Sequence, residues 1–320
     1  MTAERTIVII GAGVSGLTTG VALLEAGHPV RLVAEEVPGV TSLAAGAMWG
    51  PYLVEPWERV REWSLVSLSA FEALSSDPTT GVRMVSGIEA ARSHVPAPAW
   101  SGLLPNFPYL RAEGATGRFR EWLPVHRAAH RHAGLPAVPV GPLPEGGGVV
   151  ERATIQSLEE VEGASAIINC AGLAGGDLAG DLRGSTDPRS ACGGEKPGRH
   201  ELLLEDTGLS PDLLCIYPHG ETVVLGGSAI DGEGDLRDDP ETARAIVDRC
   251  AEIEPALATA QVIAHRVGAR PTRAEVRVEA ERLANGVTVF HNYGHGGSGV
   301  TLSWGCAGEI AALVAATMVP

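Results

Sequence analysis

With 320 residues, 39 acidic against 24 basic side chains and a formal net charge of −15, the chain argues against nucleic acid or an anionic membrane as a partner. Its length supports a large core and reads as two interleaved domains. Five cysteines without C-x-x-C spacing predict neither disulfides nor a metal site; with no charged-then-apolar leader and no apolar run of the roughly 20 residues that cross a bilayer, the expected location is the cytoplasm.

Thr6–Ile10 is a continuous aliphatic run, the pattern of a parallel strand buried on both faces. Gly11-Ala12-Gly13-Val14-Ser15-Gly16 follows at once, and Leu17, Val21, Leu23 and Leu24 then recur at helical spacing up to Gly27. Pro29–Val33 reads as a second strand that ends at Ala34-Glu35-Glu36. This is a complete βαβ nucleotide fingerprint: Gly11 permits the tight turn, Gly13 lets a pyrophosphate approach, Gly16 brings helix and strand together, and Glu35 lies where a carboxylate accepts a ribose hydroxyl. A tight strand-to-helix turn without a ligand is the plainer alternative.

Asp239–Glu252 reads as an amphipathic helix opened by Asp239 with Pro240 in its first turn, and its Ala243, Ile246 and Val247 as core. Near the C-terminus, Val289–Gly305 gives a strand, then glycines at Gly294, Gly296, Gly297 and Gly299, then an apolar helix. Those glycines allow the backbone close to a flat ligand, and the helix that follows aims N–H groups and a partial positive charge at it. An electron-rich group is expected there; the bland alternative is a glycine-rich loop before a buried helix.

Two such turns at opposite ends of one chain point beyond a simple nicotinamide dehydrogenase. His291–Gly299 (HNYGHGGSG) with Gly305-Cys306-Ala307 resembles the signature of the D-amino-acid oxidase family, Phe290 departing from the aliphatic residue usual there. Further segments match in the family's order: Thr41–Tyr52 (TSLAAGAMWGPY), Val85-Ser86-Gly87, Ile167–Gly172 (IINCAG), Leu225-Gly226-Gly227 and Gly268–Glu279 (GARPTRAEVRVE). The resemblance implies an α/β fold. A Rossmann-like FAD-binding domain with a parallel sheet (1–54, 152–183 and 290–320) is interleaved with a mixed, largely antiparallel substrate-binding domain (55–151 and 184–289). It implies FAD as cofactor and the oxidation of a D-amino acid by dioxygen to a 2-oxo acid, ammonia and hydrogen peroxide. It leaves room for a homodimer. A D-aspartate or glycine oxidase, or a degraded copy that no longer catalyses, are the alternatives.

Because the flavin accepts the hydride, the resemblance assigns no catalytic side chain and the protein mostly aims the substrate. Arg273 matches the residue that grips the substrate carboxylate beside the cofactor, a task that suits a planar guanidinium; a solvated surface arginine is its bland alternative. The Gly297 carbonyl resembles the acceptor for the substrate amino group. Thr301 matches a hydroxyl donor to the flavin O2, and is equally an ordinary first-turn threonine. At the cofactor the resemblance further places Ala12, Val14 and Ser15 in the first turn, and Thr41 and Ser42 near the pyrophosphate. Gly46, Ala47 and Met48 fall along the flavin, Ile155 on the adenosine side, and Gly296, Gly299 and Val300 in the second turn. His291 and Tyr293 read as supports of the loop, and His295 stays open.

The chain departs from the family in four places. Cys215 stands where a carboxylate-binding tyrosine is usual, with Tyr217 two residues on and facing the same side of a strand; Ala171 replaces a usual threonine. Between Arg118 and Pro144, five prolines and no sustained period replace an expected strand and leucine-rich helix, the reading expected of a shifted frame. Over Pro188–His200 a family strand reads as missing.

Overall fold

The structure, a computed structural model, describes residues 6–52, 54–91, 98–104, 110–111, 121–130, 149–181, 184–195, 204–206, 213–228 and 237–318. Strand β1 (Ile7–Ile10) is aliphatic and buried throughout, so it needs neighbours on both edges and cover on both faces. It lies between β2 (Val30–Ala34) and β7 (Ala166–Asn169), in parallel with both. β6 (Val149–Arg152) extends the sheet beyond β2, and β13 (Thr288–His295) extends it beyond β7, again in parallel. Helices α1 (Val14–Glu25) and α6 (Gly299–Thr317) cover one face, where Ile7, Ile9, Leu23, Phe290, Leu302, Cys306, Ile310 and Val314 form a single buried cluster. α6 has the length and apolarity of a bilayer-crossing helix, a run the sequence reading passed over, and here its Leu302, Cys306, Ile310 and Val314 lie in that core.

One strand belongs to both halves of the molecule. β12 (Val262–Arg282) runs for 21 residues. Its first part pairs antiparallel with β8 (Gly184–Glu195) as far as Arg273, and its last part pairs with β13 from Arg277 onward, with a register shift between Thr272 and Arg277. From β8 the sheet continues through β11 (Thr222–Gly226), β10 (Leu214–His219), β9 (Leu204–Asp206), β3 (Val82–Ala91), β5 (Glu121–His130) and β4 (Leu110–Arg111). Every pair there is antiparallel except β3 with β9. Helix α5 (Pro240–Ala251) packs on β10 and β11 through Ile246 and Cys250, with Ala243 and Val247 against the same cluster, and Asp239 caps it by accepting the Glu241 and Thr242 N–H groups. Short helices α2 (Val40–Ala44) and α4 (Ala174–Leu178) follow β2 and β7, and α3 (Trp57–Leu74) lies against α6.

The parallel and antiparallel halves are those expected. β6, from Val149, adds a parallel strand beside β2, and the end of β12 lies antiparallel beside β13. The strand read as missing is present as β8, and residues 196–200 lie outside the described residues. Its sequence, GSTDPRSACGGE, has little β propensity; β11 and β12 on its two sides supply the backbone partners that define it. Within the proline-rich stretch Glu121–His130 forms β5, with Pro124 opposite Ile88; residues 118–120 and 131–144, on which the shifted-frame reading also rests, lie outside the described residues.

α3 and α6 approach closely at Gly305, where an added Cβ would stand 2.4 Å from the backbone of Trp63. Trp63 Nε1 donates to Glu309 at 2.6 Å, and Arg59 pairs with Glu309 while stacking 4.5 Å from the Trp63 ring centre. Gly305→Ala is therefore expected to lower unfolding free energy by about 1–3 kcal/mol. Gly308→Ala, with nothing within 4 Å of the new atom, is expected to hold stability or raise it by up to about 1 kcal/mol. Chemical denaturation of the two variants checks both.

Candidate active site

β1 runs into Gly11, whose φ of +105° and whose distance of 2.4 Å from a Cβ to the Cys170 carbonyl oxygen admit no side chain. α1 then begins at Gly13, with no capping side chain and no acidic residue in its first turn. A Cβ on Gly16 would lie 1.9 Å from the Gly11 oxygen, so this glycine serves helix-to-strand packing. Residues 39–44 fold over the turn: Gly39 N–H donates to the Ala12 carbonyl at 3.0 Å and Val14 N–H to Ser42 Oγ at 3.0 Å.

The second turn is built alike. β13 ends in Gly294 and Gly296, both at positive φ, and α6 starts after Ser298 without a capping side chain or an acid in its first turn. The Ser298 hydroxyl is engaged by Tyr52, donating to its carbonyl at 2.9 Å and accepting its N–H at 2.6 Å. A single cavity of about 420 Å3 is bordered by both turns. Two helix N-termini thus face one space, an arrangement that attracts negative charge.

Most residues singled out in the sequence border that cavity: Gly11, Ala12, Gly13, Val14, Ser15, Glu35, Thr41, Ser42, Gly46, Ala47, Met48, Ile155, Tyr217, Gly296, Gly297, Gly299 and Val300. Gly16 lies just behind. Tyr217 packs on Gly46 so closely that a Cβ there would sit 2.3 Å from the ring. Cys215 is not brought to the wall; it lies opposite Gly226 on the neighbouring strand, where a Cβ would come 2.5 Å from its sulfur. Thr301 is also withdrawn. Its hydroxyl donates to the Gly50 carbonyl at 3.1 Å and accepts the Gly50 N–H at 3.0 Å, so it ties the segment around Gly50 to α6 instead of reaching the cavity.

The principal correction concerns Arg273. Its Nε donates to Asp181 Oδ2 at 2.8 Å and its Nη1 to the Glu275 carbonyl at 2.6 Å, and its alkyl chain lies over Gly294. The arginine in the cavity wall is Arg270, 2% exposed, with its guanidinium 5.4 Å from the ring centre of Tyr52, which shares the wall. Residues three apart on a strand point to opposite faces, so only one of the two could face the cavity. The sequence reading gave no site role to Gly39, Tyr52 or Leu173–Ala174, which also border the cavity beside Ala171 and Gly172; a small-residue loop and a lone tyrosine carry no signal until the turns are folded together.

Behind the second turn, Arg277 donates to Glu279, Glu281 and the Tyr293 hydroxyl, and Tyr293 donates to Asp181 at 3.0 Å. His291 meets Glu281 at 3.0 Å; burial, then Arg277, pushes its pKa down, while the bond to His291 holds the Glu281 carboxyl below its usual range. His291 and Tyr293 support the loop from outside the cavity wall. His295 borders the cavity itself; its Nε2 meets Asn292 Oδ1 at 3.0 Å, and burial pushes its pKa from 6.5 to about 4.

A family model described as FAD dependent oxidoreductase (DAO) matches residues 6–313. A D-amino-acid oxidase of Rubrobacter xylanophilus is 41% identical over 318 residues, covering 97% of this chain and 96% of the relative. One of Streptomyces coelicolor is 38% identical over 314 residues, covering 96% of each. The crystal structure of glycine oxidase from Geobacillus kaustophilus shares the fold, with a TM-score of 0.75 at 17% identity over 96% of this chain and 94% of that one.

Because the folded state holds His295 neutral and the unfolded chain protonates it near 6.5, the unfolded state binds more protons between those values. The contribution of this residue is complete above pH 6.5 and is lost as pH falls toward 4, a change of roughly 3 kcal/mol. Urea unfolding at pH 7.5 and pH 4.5 is expected to show a smaller acid-dependent loss for His295→Gln than for the parent chain. Equal losses would refute a buried neutral imidazole.

Proposed function

The chain belongs to the DAO family of FAD-dependent oxidoreductases, and from that premise we propose that it deaminates D-amino acids oxidatively to 2-oxo acids with release of ammonia and hydrogen peroxide. The observation that carries this reading is the cavity bordered by both helix N-termini and by a buried arginine. The wall fits FAD. Gly13 puts no side chain between the α1 N-terminus and a pyrophosphate, the Gly39–Ser42 segment, whose Ser42 hydroxyl accepts the Val14 N–H, lies over the turn, and Glu35 follows the end of β2 where a ribose would lie. When bound, FAD supplies the acceptor for the hydride leaving the substrate Cα and passes electrons to dioxygen.

The chain's own residues hold and aim the substrate. Arg270 offers the carboxylate two parallel hydrogen bonds from a planar group that the Tyr52 ring supports on one side. The Gly297 carbonyl accepts a hydrogen from the substrate amino group, and the ring of Tyr217 against Gly46 limits the space beside them. With carboxylate and amine both fixed, one hand of substrate directs its Cα–H into the cavity. Arg270 is the one Lys or Arg among the described wall residues, which favours a substrate with one carboxylate over D-aspartate.

Purified protein is expected to be yellow and to bleach anaerobically with D-alanine and not with L-alanine. Bleaching with D-aspartate alone would replace this reading with a D-aspartate oxidase, and bleaching with glycine alone with a glycine oxidase. A flavin that no amino acid reduces would mark an inactive copy. Arg270→Met is expected to cost at least a hundredfold in kcat/KM, an effect in the range for removing one partner of a buried charged contact. Arg273→Met is expected to act on stability, by about 1–3 kcal/mol, because it removes the 2.8 Å charged partner of the buried Asp181 carboxylate and leaves it with Tyr293 and, at 4.0 Å, Arg277.

A further inference from the structure

Four side chains join the two glycine turns through the protein interior. The Asn292 amide group donates from Nδ2 to Thr19 Oγ1 at 3.0 Å, which turns its Oδ1 toward His295 and makes His295 Nε2 the donor in their 3.0 Å contact. Thr19 Oγ1 donates in turn to the Ser15 carbonyl at 2.7 Å, and the Ser15 hydroxyl returns to the Asn292 carbonyl at 3.1 Å. Every donor in the path has an acceptor. Asn292 and Thr19 are 0% exposed and His295 is 4% exposed. Ser15 borders the cavity at the first turn and His295 at the second, while Thr19 and Asn292 stand behind the wall.

The backbone ties the second turn more loosely. β13 pairs with β7 only from Val289 to His291, and its pairing with β12 is broken by the register shift between Thr272 and Arg277. Gly296 and Gly297 are then held by single bonds to the Pro271 and Tyr52 carbonyls. These contacts, with the Thr272–His295 pair, refer the second turn to β12, β7 and Tyr52, while α1 meets it through apolar packing with α6, Gly299 lying beside Val14. The relay adds hydrogen bonds from the second turn to α1, and a neutral imidazole lets it run in one sense without a competing charge.

We propose that Thr19, Asn292 and His295 are positioning residues that set the second glycine turn against the first, and so fix the Gly297 carbonyl relative to the ring end of the bound cofactor. This rests on the D-amino-acid oxidase reading above for the identity of the substrate. Arg270 sits on β12 and takes no part in the relay, so the grip on the carboxylate and the aim of the Cα–H are separable. A displaced aim costs rate steeply, up to about a hundredfold for 1 Å.

The test is Thr19→Val, which removes the central hydroxyl at a position behind the wall, with Thr19→Ser as the variant that keeps it. In holoenzyme carrying its flavin, Thr19→Val is expected to slow anaerobic flavin reduction at saturating D-alanine about tenfold or more. The dissociation constant of acetate, read from the flavin absorbance, is expected to stay within about twofold, and the visible circular dichroism of the bound flavin to change. Thr19→Ser is expected to restore both the rate and the dichroism. An unchanged rate and dichroism in Thr19→Val, weakened acetate binding in step with the rate, or no rescue by Thr19→Ser would each overturn the proposal. Should Thr19→Val not retain flavin, His295→Leu against His295→Gln makes the same comparison, because glutamine keeps an N–H for Asn292. Failure of D-alanine to reduce the parent enzyme would refute the substrate reading alone, since the dichroism still reports the relay.

Discussion

α1 and α6 both begin at one cavity and neither has a capping side chain of its own, Ser42 accepting one N–H, that of Val14, at the start of α1. A helix leaves its first N–H groups without internal partners and carries about half a positive charge at that end. Ser298 spends its hydroxyl on the Tyr52 backbone, no acid occupies either first turn, and Gly13 has no side chain to offer. Both helices start from the carboxyl edge of the parallel sheet, after strands separated only by β7. The two starts meet: a Cβ on Gly299, the first residue of α6, would lie 3.6 Å from Cγ1 of Val14, the first residue of α1. The glycines around them let protein groups close in on both turns: Cys170 on Gly11, the Gly11 carbonyl on Gly16, and Tyr52 on Gly297.

Long β12 brings the arginine of the proposed substrate grip to this space. Its first half is held by β8 in the antiparallel half of the sheet and its second half by β13 in the parallel half. The residues between carry the contacts of both. The Ala269 carbonyl accepts the Thr41 hydroxyl at 3.2 Å, the Arg270 guanidinium lies over Tyr52, and the Pro271 carbonyl accepts the Gly296 N–H at 3.0 Å. A residue on a strand fixed at both ends loses little further freedom on meeting a ligand, which suits an arginine that must hold a carboxylate in one orientation.

The parallel half was legible because its signals are local. Ile7–Ile10 is apolar without alternation, the glycine spacing follows at once, and Gly16 answers a steric demand from the Gly11 carbonyl five residues back, although Cys170 and Ser42 are what crowd Gly11 and Gly13. β8 was illegible for the opposite reason, since GSTDPRSACGGE owes its extended form to partners 27 and more residues away. The fate of Thr301 was hidden likewise: a hydroxyl in the first turn of a helix can face a ligand or a loop, and Gly50 took it. Cys215 and Tyr217 share a strand face, yet the place of Gly46 above Tyr217 decides which of them reaches the cavity.

Arg270 and Arg273 show where pattern alone stops. The period of a strand says that one guanidinium faces the cavity and the other does not, and the choice depends on what waits on the far side. There, Asp181 meets Arg273 at 2.8 Å with both side chains under a tenth exposed, and Tyr293 and Arg277 close the group. A buried pair of this kind adds little net stability once its desolvation is counted, but breaking it is costly, so it selects one arrangement of the chain over its alternatives. With Arg273 committed to Asp181, the strand has one way to lie, and that way turns Arg270 toward the ligand. The ion pair outside the cavity therefore contributes to function by deciding which charge enters it.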